Sequence, residues 1–240
     1  MTTQHIVSAF DRDLVGAQAK VMKMAGLVEE AMAQVAIALE TNDLAKAEAV
    51  RKNDKAIDAL DEDIKHECAR ILATRSPTAS DLRTVLTVMS ISSNLERCGD
   101  YAKNIAKRTT VLTNAKPING VAAALRGMQN AVSSMIKDVL EAYIQRDVAK
   151  AEDVRDRDNQ VDEMYNTLFR SLLTHMMEDS QNITACMHLH FIAKNIERMG
   201  DHTTSIAEQV IYLVTGEMPD DDRPKSDLTA FTTPEDLGEA

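Results

Sequence analysis

Residues 94–106 read NLERCGDYAKNIA and residues 195–207 read NIERMGDHTTSIA, identical at seven of thirteen positions. Residues 43–58, DLAKAEAVRKNDKAID, recur as DVAKAEDVRDRDNQVD at 147–162, with nine of sixteen positions matching. The offsets are 101 (195 − 94) and 104 (147 − 43), which puts three extra residues in the first copy, most simply around Arg75-Ser76-Pro77-Thr78. A period near a hundred residues is too long for a solenoid repeat. It marks a domain-sized unit written twice, so any fold must serve both copies.

The residue types favour helices. Aromatics make up 3% of the chain, Trp is absent, and there are 13 Met, 8 Gly and 5 Pro. A core of Ala, Leu, Ile, Val and Met with few turn formers is that of an all-α protein. Each unit reads as three helices. Phe10, Leu14, Ala17, Val21, Met24, Val28, Ala31, Val35 and Ala38 follow a 4-3-4-3 spacing, a sustained coiled-coil-like stripe. Asn42 is placed to cap a second helix, whose apolar face uses Leu44, Ala47, Val50, Ile57, Leu60, Ile64 and Ile71. Ser76-Pro77 ends it, and Thr78 with Asp81 can form a capping box for a third helix carrying Val85, Val88, Ile91, Leu95, Cys98, Ala102 and Ile105. The second unit starts near Pro117, in a first helical turn, and ends at Gly216 before Pro219. Short connections make the helices antiparallel neighbours. The expected architecture is two tandem pseudo-symmetric three-helix bundles, residues 5–114 and 117–215, followed by an acidic, Pro-rich, disordered tail at 216–240.

Four pairs of acids stand four apart, so each pair shares a helix face: Asp54/Asp58 and Glu96/Asp100 in the first unit, Asp158/Asp162 and Glu197/Asp201 in the second. Like charges at that spacing repel, and a divalent or trivalent cation removes the conflict, since carboxylates are hard oxygen donors that can share a metal ion. Glu96 and Asp100 continue a row that begins Leu82, Leu86, Met89, Ser93, which predicts a shielded position. The matching row, Ile183, Met187, His190, Lys194, Glu197, Asp201, contains a lysine placed to neutralise part of its cluster. Gly99 and Gly200 lie between the two acids of each pair. A helix-interior glycine costs about 1 kcal/mol relative to Ala, so it signals close approach of another helix or of a bulky ligand. Arg97 and Arg198 lie on another part of the surface, placed to pair with acids on a neighbouring helix. His66, His188, His190 and His202 lack a shared ligand pattern: the counterpart of His202 is Tyr101. Cys98 is matched by Met199, which marks a core position.

The net charge of −11 argues against a nucleic-acid partner. Three sparse cysteines, Cys68, Cys98 and Cys186, make no disulfide framework, and no apolar run is long enough to span a membrane. The expected location is the cytoplasm.

The acidic pairs, the N-x-E-R-x-G-D motif and the duplicated three-helix unit together resemble the PhoU family, over residues of about 5–215. That resemblance implies surface metal clusters of Fe, Zn, Mn or Mg held by the eight acids. It implies a non-enzymatic regulator that restrains phosphate uptake and the phosphate-starvation response when phosphate is plentiful. The implied partners are the ATPase subunit of the phosphate ABC transporter, a membrane sensor histidine kinase and a second copy of the chain, with the membrane reached only through them. The second unit departs from the first at Tyr165, where the first has Asp61, and at Lys194, so the two sites need not be equivalent. Two further readings stay open on the residues alone: a carboxylate-bridged metal-dependent phosphohydrolase and a metal-free helical adaptor.

Overall fold

The computed structural model describes residues 2–113 and 115–219; of the tail expected at 216–240, residues 220–240 lie outside them. Six helices follow in order: α1 (Thr2–Thr41), α2 (Leu44–Arg75), α3 (Ala79–Leu112), α4 (Val121–Gln145), α5 (Val148–Glu178) and α6 (Ile183–Thr215), with one 3-10 turn at Ser180–Asn182. No strand occurs among the described residues. The expected all-α architecture of two three-helix units is what forms.

The connections repeat as the helices do. Asn42 and its counterpart Arg146 both adopt left-handed backbone, with φ of 53° and 54°. The residue after each is the real cap: Asp43 and Asp147 accept hydrogen bonds from the backbone N–H of Lys46 and Lys150 at 3.0 and 3.1 Å. The N-cap expected at Asn42 thus falls one residue later, because Asn42 is consumed in reversing the chain. Thr78 is extended and makes no side-chain cap bond, so the capping box with Asp81 does not form. Pro117 precedes α4 rather than opening it; Gly120, at φ 77°, turns the chain into Val121. Gly216 ends α6 as expected, at φ 85° with its amide on the Tyr212 carbonyl.

Within each unit the apolar stripes meet. Phe10, Ala17, Val21, Met24, Val28, Val35 and Ala38 of α1 are buried, with Leu14 and Ala31 partly so. The α2 seam runs Ala47, Val50, Asp54, Ile57, Asp61, Ile64, Cys68, Ile71, an unbroken 3-4 spacing that carries two aspartates through the core. In α5 the same seam reads Ala151, Val154, Asp158, Val161, Tyr165, Leu168, Leu172. Burial pushes the Cys68 and Cys98 thiols up to about 11 and about 12, and all three cysteines are free and buried.

The units join through α3 and α6, which run side by side along the middle. Helix α2 flanks α3 and α5 flanks α6, while α1 packs on α2 and α3, α4 packs on α5 and α6, and α1 touches α4. Cys98 Sγ lies 4.0 Å from the Met199 carbonyl oxygen, and the Tyr101 and His202 rings are 5.6 Å apart. In both contacts the partners are repeat equivalents. Equivalent residues meet only where a twofold axis passes, so the duplication is also a spatial pseudo-symmetry. Gln129 Nε2 of α4 adds a buried bond to the Met32 carbonyl of α1 at 3.1 Å.

The motif glycines let the flanking helices approach. A Cβ on Gly99 would stand 2.9 Å from Ile57 Cδ1 and 3.2 Å from Ile57 Cγ2; one on Gly200 would stand 2.8 Å from Asp158 Oδ1. Gly26 of α1 has nothing within 4 Å of that position. Gly200→Ala is therefore expected to destabilise by about 1–3 kcal/mol, the range for overpacking. Gly26→Ala is expected to stabilise by roughly 0.5–1 kcal/mol through helix propensity. Denaturant unfolding of the two variants checks this; stabilisation by both would contradict the close-approach role.

Candidate functional site

The four pairs of acids lie two to a unit along helix–helix clefts, one between α2 and α3 and one between α5 and α6. The antiparallel hairpin sets the register. Ser92 Oγ of α3 donates to Asp61 Oδ1 at 2.8 Å at one end. At the other, the Lys103 ammonium bridges Asp54 Oδ2, in a very short contact, and Asp100 Oδ1 at 2.8 Å. Asp58 and Glu96 lie between. Lys65 caps Asp61 from its own helix at 2.6 Å. The first cleft thus gathers Asp54, Asp58, Asp61, Glu96 and Asp100, with Lys103 at one end and Lys65 at the other.

Its electrostatics are strained. Burial raises the Asp58 carboxyl above its usual range, and Asp54, Asp100 and Asp61 push it further while Lys103 opposes. Burial likewise raises Glu96, reinforced by Asp100, Asp61 and Asp58 and countered by Arg97. Lys103 is held well above its ordinary value by its bonds to Asp100 and Asp54. Asp54 is 4% exposed, and its Oδ1 has no hydrogen-bond partner. A buried carboxylate oxygen left over beside other carboxylates is a hard donor that suits a hard cation. Among the described residues, no three His, Cys, Asp or Glu side chains converge as a ready-made metal cage. The Lys103 ammonium, a monovalent cation, stands between Asp54 and Asp100.

The second cleft holds Asp158, Asp162, Glu197 and Asp201, the first three of them buried. Where the first has Asp61 with Ser92, the second has Tyr165 with Ala193, and Phe169 replaces Lys65. The Tyr165 ring stacks on His190 at 6.0 Å. Lys194 reaches over the Tyr165 ring at 4.9 Å and donates to Glu197 Oε1 at 2.7 Å, the neutralising role expected of it. Thr204 stands in the place of Lys103 and bonds the Gly200 carbonyl at 3.1 Å. The first cleft thus has Lys103 at one end and Lys65 at the other, whereas in the second Lys194 enters at the Tyr165 end.

Two expectations change. Leu82 and Leu86 are 37% and 41% exposed, because the row they begin faces away from the core; apolar residues there do not shield Glu96. Glu197, on the more polar row, is only 4% exposed, covered by Lys194 and the aromatic stack. Among the described residues, the motif arginines do not pair with a neighbouring helix either. Arg97 lies 3.8 Å from Glu96 on its own helix, and Arg198 is exposed.

On the pseudo-twofold axis, His202 has a role that its mismatch with Tyr101 conceals in the sequence. Asn94 Nδ2 donates to the Ser90 carbonyl at 2.9 Å, which turns Asn94 Oδ1 toward His202 Nδ1, 2.8 Å away. Nδ1 therefore carries the proton, and Nε2 accepts from the Tyr101 hydroxyl at 3.3 Å. Burial lowers the His202 pKa, and Arg97 and Arg198 lower it further against the pull of Asp201. The imidazole is a neutral bridge between the repeats.

Asp61 and Lys103 are cleft members that the pairing pattern of the acids does not reveal. The signal for Asp61 is the 3-4 spacing of the α2 seam; that for Lys103 is its place one turn beyond Asp100.

The chain matches the PhoU domain twice, at residues 21–109 and 125–210. A protein of Caulobacter vibrioides named phosphate-specific transport system accessory protein PhoU homolog is 42% identical over 226 residues, covering 94% of this chain and 98% of that one. Its namesake in Zymomonas mobilis is 48% identical over 227 residues, covering 94% and 95%. The crystal structure of PhoU from Pseudomonas aeruginosa superposes with a TM-score of 0.84 at 35% identity, covering 87% of this chain and all of that one. That of the phosphate transport system regulatory protein PhoU from Streptococcus pneumoniae gives 0.82 at 32% identity, covering 88% and 99%. With both copies of the domain matched and relatives aligned end to end, the chain belongs to the PhoU family.

Proposed function

We propose that the chain is an accessory regulator of phosphate-specific transport, carrying cations in its two acidic clefts. The name shared by its relatives supports the transport role. The observation that carries the cation reading is the first cleft: five carboxylates on two helices, two of them raised by burial and mutual repulsion, and a buried Asp54 oxygen without a partner. Asp54, Asp58, Glu96 and Asp100 would hold one cluster, and Asp158, Asp162, Glu197 and Asp201 the other. The bound ion, Fe, Zn, Mn or Mg, would supply the positive charge that the lysines supply only in part. Its ligands come from two helices each, so loading ties α2 to α3 and α5 to α6 and fixes the outer face of the protein.

That face is the surface offered to partners. The regulator works by contact, not turnover: it restrains the ATPase subunit of the phosphate ABC transporter and quiets a membrane sensor histidine kinase when phosphate is plentiful. No helix among the described residues is long and apolar enough to cross a membrane, which agrees with recruitment through those partners in the cytoplasm. A homodimer belongs to the same reading.

Loading has a thermodynamic signature. The folded-state values of Asp58 and Glu96 are raised, so the native state binds more protons than the unfolded one. Their ionisation therefore opposes folding. The cost is absent below their ordinary values and grows as pH rises through the raised ones. Chelator-treated protein should lose stability over that window. Asp58→Asn with Glu96→Gln should flatten the decline, and saturating manganese should raise the melting temperature of the wild type and remove it. Coincident melting curves with chelator and with manganese at every pH would refute the cation reading. For the regulatory half, cells lacking the gene should express phosphate-starvation genes in phosphate-rich medium. Unchanged transcription and uptake would contradict it.

A further inference from the structure

The repeated motif N-x-E-R-x-G-D assigns a place to nearly every residue it fixes. Asn94 holds His202, and Asn195 bonds the Phe191 carbonyl. The glutamates and aspartates line the clefts, and the glycines admit the flanking helices. The arginine alone takes no part in the packing. Arg97 is 60% exposed, and its ion pair among the described residues is with its sequence neighbour Glu96 at 3.8 Å. Arg198 is exposed and makes no hydrogen bond or ion pair among the described residues. A long cationic side chain kept in register in both copies, without a partner on a neighbouring helix among the described residues, faces outward for a reason other than folding.

The pseudo-twofold axis brings the two together. Helices α3 and α6 touch where Cys98 meets Met199, and the arginines immediately precede these residues. Tyr101 and His202 stand one turn beyond Arg97 and Arg198, on the same helix faces. Both guanidinium charges act on both rings. Both arginines thus stand near the Tyr101–His202 contact, on the helices that α2 and α5 flank. The local acids are Glu96 beside Arg97 and Asp201, which acts on Tyr101 and His202.

We propose that Arg97 and Arg198 together bind a phosphate group on the pseudo-twofold axis, one guanidinium from each repeat. The choice of ligand follows from geometry. A guanidinium presents a planar fork that fits two oxygens. A carboxylate has two oxygens and is satisfied by one fork. A tetrahedral oxyanion has oxygens on opposite sides and can accept from two forks at once. Tyr101 and His202 satisfy each other and do not donate to the ligand. Exposure and the adjacent acids keep the site weak, with a dissociation constant on the order of millimolar. The phosphate group is either free in solution or carried on a partner side chain, and both sources present the same chemistry. The inference stands apart from the cation reading, since its residues are not the cleft acids.

The test is a nuclear magnetic resonance titration of the full-length, 15N-labelled protein, reading the side-chain Nε–H signals of Arg97 and Arg198. Inorganic phosphate, phosphoserine and sodium chloride are added at matched ionic strength. Phosphate or phosphoserine should give a saturable shift of both signals, and chloride none. A stronger response to inorganic phosphate identifies the free ion as ligand; a stronger response to phosphoserine identifies a phosphorylated partner. Arg97→Gln with Arg198→Gln should abolish the saturable response at the backbone amides of Tyr101 and His202, with an unchanged melting temperature. Either single substitution should weaken it at least threefold. Asp54→Asn with Asp100→Asn should leave it intact. Equal response to chloride, survival in the double arginine variant, or loss in the cleft variant would each overturn the proposal. The last outcome would place the anion on a cleft-bound cation. Loss of cation-dependent stabilisation in the wild type, with the anion response retained, would refute the cation reading alone.

Discussion

The structure depends on carboxylates placed in a helix–helix seam. Asp54 and Asp158 occupy seam positions where the coiled-coil spacing calls for apolar side chains, and each lies against a glycine of the next helix. Burying a carboxylate is costly unless a partner charge or hydrogen bonds compensate it. The first cleft meets that cost partly with Lys103 and partly by raising the protonation of Asp58 and Glu96. A chain that needed only a stable bundle would be better served by Leu at these positions. Acids kept there, each against a glycine of the next helix, are what the proposed cation sites would account for.

The two copies solve the same problem with different residues, and the differences are mutually consistent. Asp61, Ser92 and Lys65 form a hydrogen-bonded end to the first cleft. Tyr165, Ala193 and Phe169 replace them with an aromatic end, and Lys194 enters across the Tyr165 ring. The second cleft is accordingly the more enclosed, and its Glu197 is nearly buried while Glu96 is partly exposed. Unequal enclosure of otherwise equivalent donors makes cations of unequal affinity the natural expectation.

Much of this architecture is legible in the residues themselves. The repeat dictates two equal units, the 4-3 stripes dictate helices, and the i, i+4 spacing puts each pair of acids on one face. Four features are not legible there, each for a physical reason. That the pairs merge into clefts depends on the antiparallel register of α2 with α3, which a single helix does not encode. Asp54 and Asp61 do not stand out as seam residues because their polarity masks a spacing that runs straight through them. Burial along the outward rows is hard to judge because a helical row has no inside until its neighbours are placed: Leu82 and Leu86 are exposed and Glu197 is covered. The Tyr101–His202 contact is hidden for a related reason. Unlike residues at equivalent positions look like a broken pattern in a sequence, yet on a twofold axis they complement each other as donor and acceptor.

The central claim is that the clefts hold cations, and crystals grown with manganese test it most directly through an anomalous difference map. The account predicts a peak between α2 and α3 within ligand distance of Asp54, with Lys103 swung away from Asp54 and Asp100, and a second peak between α5 and α6 at Asp158 and Glu197. A map without peaks at either place, with Lys103 still bridging Asp54 and Asp100, would contradict it.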